Sequence, residues 1–192
     1  MPADPVASSC IHVRPASGED LPALGPIELA AAALFPAGTL PPPLANPMPL
    51  AELQACLASS QLWVADEQGR GLVGFIAATT HGSCLHVLEM DVLPARSRQG
   101  IGTRLLHHVC QVAGQRGHAH VTLTTFAHLP WNAAFYAANG FAAVSDRAGF
   151  AHLAAALRAE RDSGLEQRIA MVKPISGNLL EIYAEIEPTQ AP

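Results

Sequence analysis

Between Leu85 and Leu106 the chain reads LHVLEMDVLPARSRQGIGTRLL. This is an apolar strand, a proline turn, a loop bearing Arg96 and Arg98, and a glycine pair, Gly100 and Gly102, opening an amphipathic helix. A helix N-terminus offers unsatisfied backbone N–H groups at the positive end of its dipole, and glycines let a ligand approach that backbone closely. The loop therefore suits a pyrophosphate. Two familiar phosphate loops are excluded: no Gly-Lys-Ser/Thr closes the loop, and Leu105 stands where the dinucleotide fingerprint needs its third glycine. The same strand carries two candidate proton acceptors, His86 and Glu89. Strand alternation puts them on opposite faces unless a bulge intervenes, so a regular strand would aim only one of them at a given ligand.

A second constellation lies downstream in LTTFAHLPWNAAFYAANGF, where Asn132, Phe135, Tyr136, Gly140 and Phe141 fall in the order Asn-x-x-Phe-Tyr-x-x-x-Gly-Phe. Together with the glycine loop it resembles the GNAT superfamily of acyl-CoA-dependent N-acyltransferases, over about residues 63–144. The resemblance implies an α/β fold with a mixed, mostly antiparallel sheet of roughly six or seven strands, helices on both faces and a splayed central parallel strand pair. It also implies acetyl-CoA as co-substrate. Arg96, Ser97, Arg98, Gln99, Gly100, Ile101, Gly102 and Thr103 would surround its pyrophosphate. Its pantetheine arm would lie between the strand ending Met90, Asp91 and Val92 and the strand ending at Thr125, near Phe135. The family's loop begins with Arg or Gln; here that position is Ser97, so the amide cradle is kept while Arg96 or Arg98 substitutes for the missing side chain.

By the same resemblance Tyr136 stands near the cofactor sulfur, where a phenol O–H can protonate the leaving thiolate. Asn132 either contacts the cofactor arm or caps the short helix after it. An alkylammonium must lose a proton before attacking a thioester, and His86 or Glu89 would take it, Glu89 directly or through water. The implied function is transfer of an acetyl group from acetyl-CoA to a primary amine, on a small molecule or a peptide, by direct attack. The competing class is a non-catalytic acyl-CoA-binding sensor on the same fold.

The elements that must position these residues follow from periodicity and punctuation. Ile11–Arg14 alternates as a strand, Ser17 and Asp20 form a capping box before Leu21–Phe35, and Gly25-Pro26 divides that segment into two helical pieces. The proline-rich stretch 36–49 holds no regular element and is either a connector or a wall of a substrate pocket. Leu50–Leu57 is helical; Gln61–Asp66, Leu72–Thr79 and Cys84–Val92 form an antiparallel meander. Ile101, Leu105, Leu106, Val109, Val112 and Ala113 line one side of the next helix, and a right-handed crossover lays His120–Thr125 parallel to Cys84–Val92. Trp131–Ala138 is a short helix, Phe141–Val144 a strand, Ala151–Arg161 a helix and Arg168–Lys173 a final strand. In the tail, residues 173–192, Leu179–Ile186 reads as a last helix or a homodimer contact.

Composition narrows the function classes. The chain's 192 residues suit one domain, 1–192, and 49% hydrophobic content with 14% charged residues places it among compact rather than disordered chains. A net charge of −5 with Lys173 as the lone lysine argues against nucleic acid as a partner. Cys10, Cys56, Cys84 and Cys110 lack C-x-x-C spacing, and the chain's start lacks a secretory pattern, so a reducing, cytoplasmic setting is expected. No segment approaches the ~18 continuous apolar residues of a membrane span. The nearest approach to a metal pair is His118 and His120, which reads as strand-edge decoration rather than a metal site.

Overall fold

The computed structural model describes residues 10–36, 46–145 and 149–175. The tail segment Leu179–Ile186 lies outside them, as do residues 37–45 of the proline-rich stretch.

Strand β1 (Ile11–Pro15) leads into helix α1 (Leu21–Ala32), and helix α2 (Leu50–Ala58) precedes the meander of β2 (Leu62–Glu67), β3 (Gly71–His81) and β4 (Cys84–Val92). Helix α3 (Ile101–Gln115) crosses over to β5 (His120–Phe126). Then come α4 (Asn132–Ala138), β6 (Ala142–Val144), α5 (Ala151–Asp162) and β7 (Arg168–Pro174). The seven strands form one sheet in the order β1-β2-β3-β4-β5-β7-β6, in which β4 and β5 are the one parallel pair. This is the expected mixed, mostly antiparallel sheet. The last of the described strands, β7, inserts between β5 and β6, a placement that periodicity does not reveal.

Two apolar layers clamp the sheet. On one face α3 buries Ile101, Leu105, Leu106 and Val109 against Ile76, Ala78, Leu85, Val87 and Val121; on the other, Leu24 and Ile27 of α1 and Leu53 of α2 pack on Val64, Phe75 and Ala77. Burying such side chains contributes about 1.5–3 kcal/mol each. Helix α1 is continuous through Pro26, contrary to the two pieces expected. A proline there removes one hydrogen bond, and burial of Leu24, Ile27 and Ala31 on either side of it holds the helix together. Only part of the capping box forms. The Asp20 carboxylate accepts from the backbone N–H and hydroxyl of Ser17 and pairs with Arg14, but no side chain caps α1 in return.

Two irregularities shape the centre of the sheet. The β4–β5 ladder pairs only Cys84–His86 with His120–Thr122, so beyond His86 the strands separate into a wedge. Strand β5 continues pairing with β7 through Phe126, and β4 with β3 through Val92. The second irregularity is a bulge. Ala77 stands opposite Glu89 and Ala78 opposite Val87, which leaves Leu88 as the extra residue on β4. Where β3 and β4 pair after the bulge, Gly74 lies so close that an added Cβ would sit 2.6 Å from the Asp91 carbonyl oxygen.

Candidate functional site

The wedge opens toward the C-terminal end of β4, and the chain leaves it through a single 3-10 turn, Pro94–Arg96, into the glycine loop. Gly100 sits at the N-cap of α3 with φ of +77°, a left-handed conformation that glycine adopts without a Cβ penalty. No side chain caps this helix, so its first amides remain available to an anion. The wedge and the amide cradle are thus consecutive features of one strand–loop–helix unit. Arg98, at φ +60°, and Gln99 are exposed on this loop, while Ser97 and Thr103 are half-buried. Arg96 is turned elsewhere: its guanidinium pairs with the buried Glu67, Nε to Oε2 at 2.7 Å. Of the two arginines expected to replace the family's side chain, Arg96 is already engaged by a carboxylate. Phe135 packs beside Gly102 and Met90, closing the floor between α3 and α4.

A cavity of about 540 Å³ lies beside the wedge, within the size range of small-molecule sites. Its lining takes in Glu89, Met90 and Asp91 from β4, Thr124 and Thr125 from β5, and Asn132 and Tyr136 from α4. The helix α1 contributes Glu28, and Asn46–Pro49 closes one side, so the described end of the proline-rich stretch is a pocket wall. Of the cofactor-binding residues expected on β4, Val92 does not line the cavity; it packs into the α3 layer. Trp131, not Asn132, occupies the N-cap of α4, and no side chain caps that helix, which removes the capping alternative for Asn132.

The bulge at Leu88 decides which groups face the cavity. Glu89 pairs with Ala77 and Asp91 with Phe75, both on the face covered by α1 and α2. There they meet Glu28, and the three carboxyl groups offer oxygens within 4.8 Å of one another. The Met48 N–H donates to both carboxylate oxygens of Glu28 at 2.9 Å, and the Met90 N–H donates to Glu89 at 3.2 Å. One oxygen of Asp91, Oδ2, is buried without a hydrogen-bond partner. Desolvation raises all three carboxyls above their ordinary range, and repulsion adds to the rise at Glu89, from Glu28, and at Asp91, from Glu89 and Glu28. The Tyr136 phenol is also raised, first by desolvation and then by Glu89 and Asp91, so it keeps its proton at neutral pH. A group able to accept a proton and a group able to give one thus line the same cavity.

His86 does not line that cavity. It sits at the closed end of the wedge, where Thr122 Oγ1 bridges His86 Nδ1 at 3.0 Å and His152 Nε2 at 2.9 Å. The ring of His81 stacks on His152 at 4.8 Å. Burial, then His152 and His81, holds His86 down to about 3. Sequence reasoning missed Glu28, whose approach to β4 depends on how α1 packs, and Arg168, which reaches the cavity from β7. Arg168 is held by Glu160 at 2.9 and 3.1 Å and by the Thr124 hydroxyl oxygen at 3.1 Å.

A central wedge between parallel strands, an amide cradle at the next helix and a facing tyrosine define the GNAT fold. Residues 58–143 match the family described as Acetyltransferase (GNAT) domain. Solved structures share the fold across most of the chain. The PaiA N-acetyltransferase of Thermoplasma acidophilum, in complex with coenzyme A, is similar at a TM-score of 0.66 and 19% identity, covering 86% of this chain and 99% of that one. The ribosomal-protein-S18-alanine N-acetyltransferase of Escherichia coli is similar at 0.63 and 21%, covering 88% and 96%. The N-acetylglutamate synthase of Neisseria gonorrhoeae, complexed with coenzyme A and N-acetyl-glutamate, is similar at 0.65 and 20%, covering 88% of this chain but only 36% of that one. Among the described residues, no helix is long and apolar enough to cross a membrane.

Proposed function

We propose that the protein is an N-acetyltransferase that moves an acetyl group from acetyl-CoA to a primary amine by direct attack, with Glu89 as general base and Tyr136 as general acid. Acetyl-CoA supplies the activated thioester. The amides opening α3, around Gly100–Thr103, hold its pyrophosphate, and the unpaired edges of β4 and β5 beyond His86 receive the pantetheine arm between them. The backbone of Met90–Val92 offers donors toward the thioester oxygen, which gains negative charge in the transition state.

Glu89 takes the proton of the incoming ammonium, leaving a nitrogen lone pair to form the C–N bond as the C–S bond breaks. Tyr136 gives its proton to the departing thiolate and is reprotonated with the proton Glu89 removed, so the net products are the amide, CoA thiol and one proton released to water. A raised carboxyl is matched to this work, since a base poised near neutral pH removes a proton more effectively than an ordinary carboxylate. His86 has no place on this path: it is neutral, bonded to Thr122 and outside the cavity.

The observation that carries the reading is the bulge at Leu88, which brings Glu89 to the cavity that Tyr136 also lines. Its test is thiol release from acetyl-CoA across a panel of small amines and peptides, with the amide product identified by mass. Amine-dependent release with matching amide supports transfer. Saturable CoA binding without release on any amine would favour a sensor instead.

A further inference from the structure

We propose that the acceptor is a short diamine, whose reacting amine lies at Glu89 while its second, permanently charged ammonium is held by Glu28 and Asp91. The inference rests on the acetyl transfer proposed above and adds the substrate class. One carboxylate suffices as a base, yet the cavity brings three together, from two elements distant in sequence, with oxygens within 4.8 Å of one another. Glu28 is fixed in place by the Met48 N–H, and Asp91 Oδ2 is buried with no partner. Glu52 adds a further negative group to the lining.

Positive charge is scarce in the same cavity. Among the described residues that line it, Arg168 is the one basic side chain, and its guanidinium is already bonded to both oxygens of Glu160 and to Thr124. The carboxylate of an amino-acid acceptor would therefore find no free cation among the described lining residues and would face three carboxyl groups. A second ammonium finds the reverse. Leu29, Phe35 and Phe126 supply apolar wall for the methylenes of the spacer. In the empty cavity the raised carboxyls of Glu89 and Asp91 retain protons, and an entering dication displaces them.

The test compares putrescine, n-butylamine and γ-aminobutyrate, amines of similar length that end in an ammonium, a methyl and a carboxylate. With acetyl-CoA, putrescine is expected to exceed n-butylamine in kcat/KM by about tenfold or more, as a charge-assisted contact in a partly buried site would give, with γ-aminobutyrate slowest. Glu28→Gln should bring the putrescine to n-butylamine ratio toward one. Calorimetry without acetyl-CoA should show putrescine binding more tightly than n-butylamine and releasing protons, seen as heats that vary with the buffer's ionisation enthalpy. Equal rates and equal binding for putrescine and n-butylamine would overturn the diamine inference while leaving acetyl transfer intact. Selective putrescine binding with no amide from any amine would support the second-ammonium subsite and overturn the transfer reading. Tighter binding of calcium ion than of putrescine would make the cluster a metal site and overturn the inference.

Discussion

His86 and Glu89, three residues apart on β4, face the same side of the sheet, because the bulge at Leu88 sets His86 opposite Thr79 and Glu89 opposite Ala77. Without the bulge the two would point to opposite faces, and Glu89 would enter the α3 layer as a buried charge. With it, His86 stays at the closed end of the wedge and Glu89 reaches the open end.

Tyr136→Phe removes the hydroxyl proposed to protonate the leaving thiolate while keeping the ring that packs on Phe135 and Phe141. The account expects kcat to fall by about a hundredfold with little change in KM for acetyl-CoA. Steady-state kinetics on the best acceptor checks this. An unchanged kcat would move the acid role elsewhere.

At Gly100 the left-handed backbone holds the amides of α3 in place, and an added Cβ would meet nothing within 4 Å. Gly100→Ala should therefore act through backbone strain of about 1–2 kcal/mol rather than through a clash. The expected result is weaker CoA binding by calorimetry, whereas Gly100→Asn, which tolerates this conformation better, should bind closer to wild type.

Gly74→Ala meets a different obstacle. Its Cβ would sit 2.6 Å from the Asp91 carbonyl oxygen, so the β3–β4 pairing must shift. A loss of about 1–3 kcal/mol is expected, read as a lower denaturant midpoint, with acetyl transfer falling as Asp91 and Glu89 move.

Asp91 provides the stability test in pH. Its carboxyl is raised in the folded chain, chiefly by desolvation and then by Glu89 and Glu28, so above the ordinary carboxylate range the folded state binds more protons than the unfolded one. Its presence thus makes stability fall as pH rises from that range through the raised value. Asp91→Asn should gain stability relative to wild type across that window, measured by chemical denaturation at a series of pH values. A difference independent of pH would show that Asp91 titrates normally.

Much of this architecture was legible from local pattern. Strand β4 was readable to the residue, α3 from its apolar stripe and Gly100, and the Tyr136 motif from its spacing. What escaped depended on contacts between distant segments. Alternation alone could not reveal the extra residue at Leu88, because the bulge is a property of the β3–β4 pair. Nothing in the sequence singles out Glu28 before α1 packs it over β4, and Arg96, expected at the pyrophosphate, is instead engaged by Glu67 from β2. Gly25-Pro26 suggested a break that burial of the surrounding α1 residues prevents.

The central claim, that Glu89 removes the proton of the attacking amine, is tested most directly by the pH dependence of amide formation from acetyl-CoA in wild type and Glu89→Gln. For wild type the account predicts kcat/KM rising with pH through a value above the ordinary carboxylate range, where Glu89 ionises. For Glu89→Gln it predicts a rate lower by about a hundredfold or more, with that inflection gone. A variant that keeps both the wild-type rate and the wild-type inflection would contradict the account.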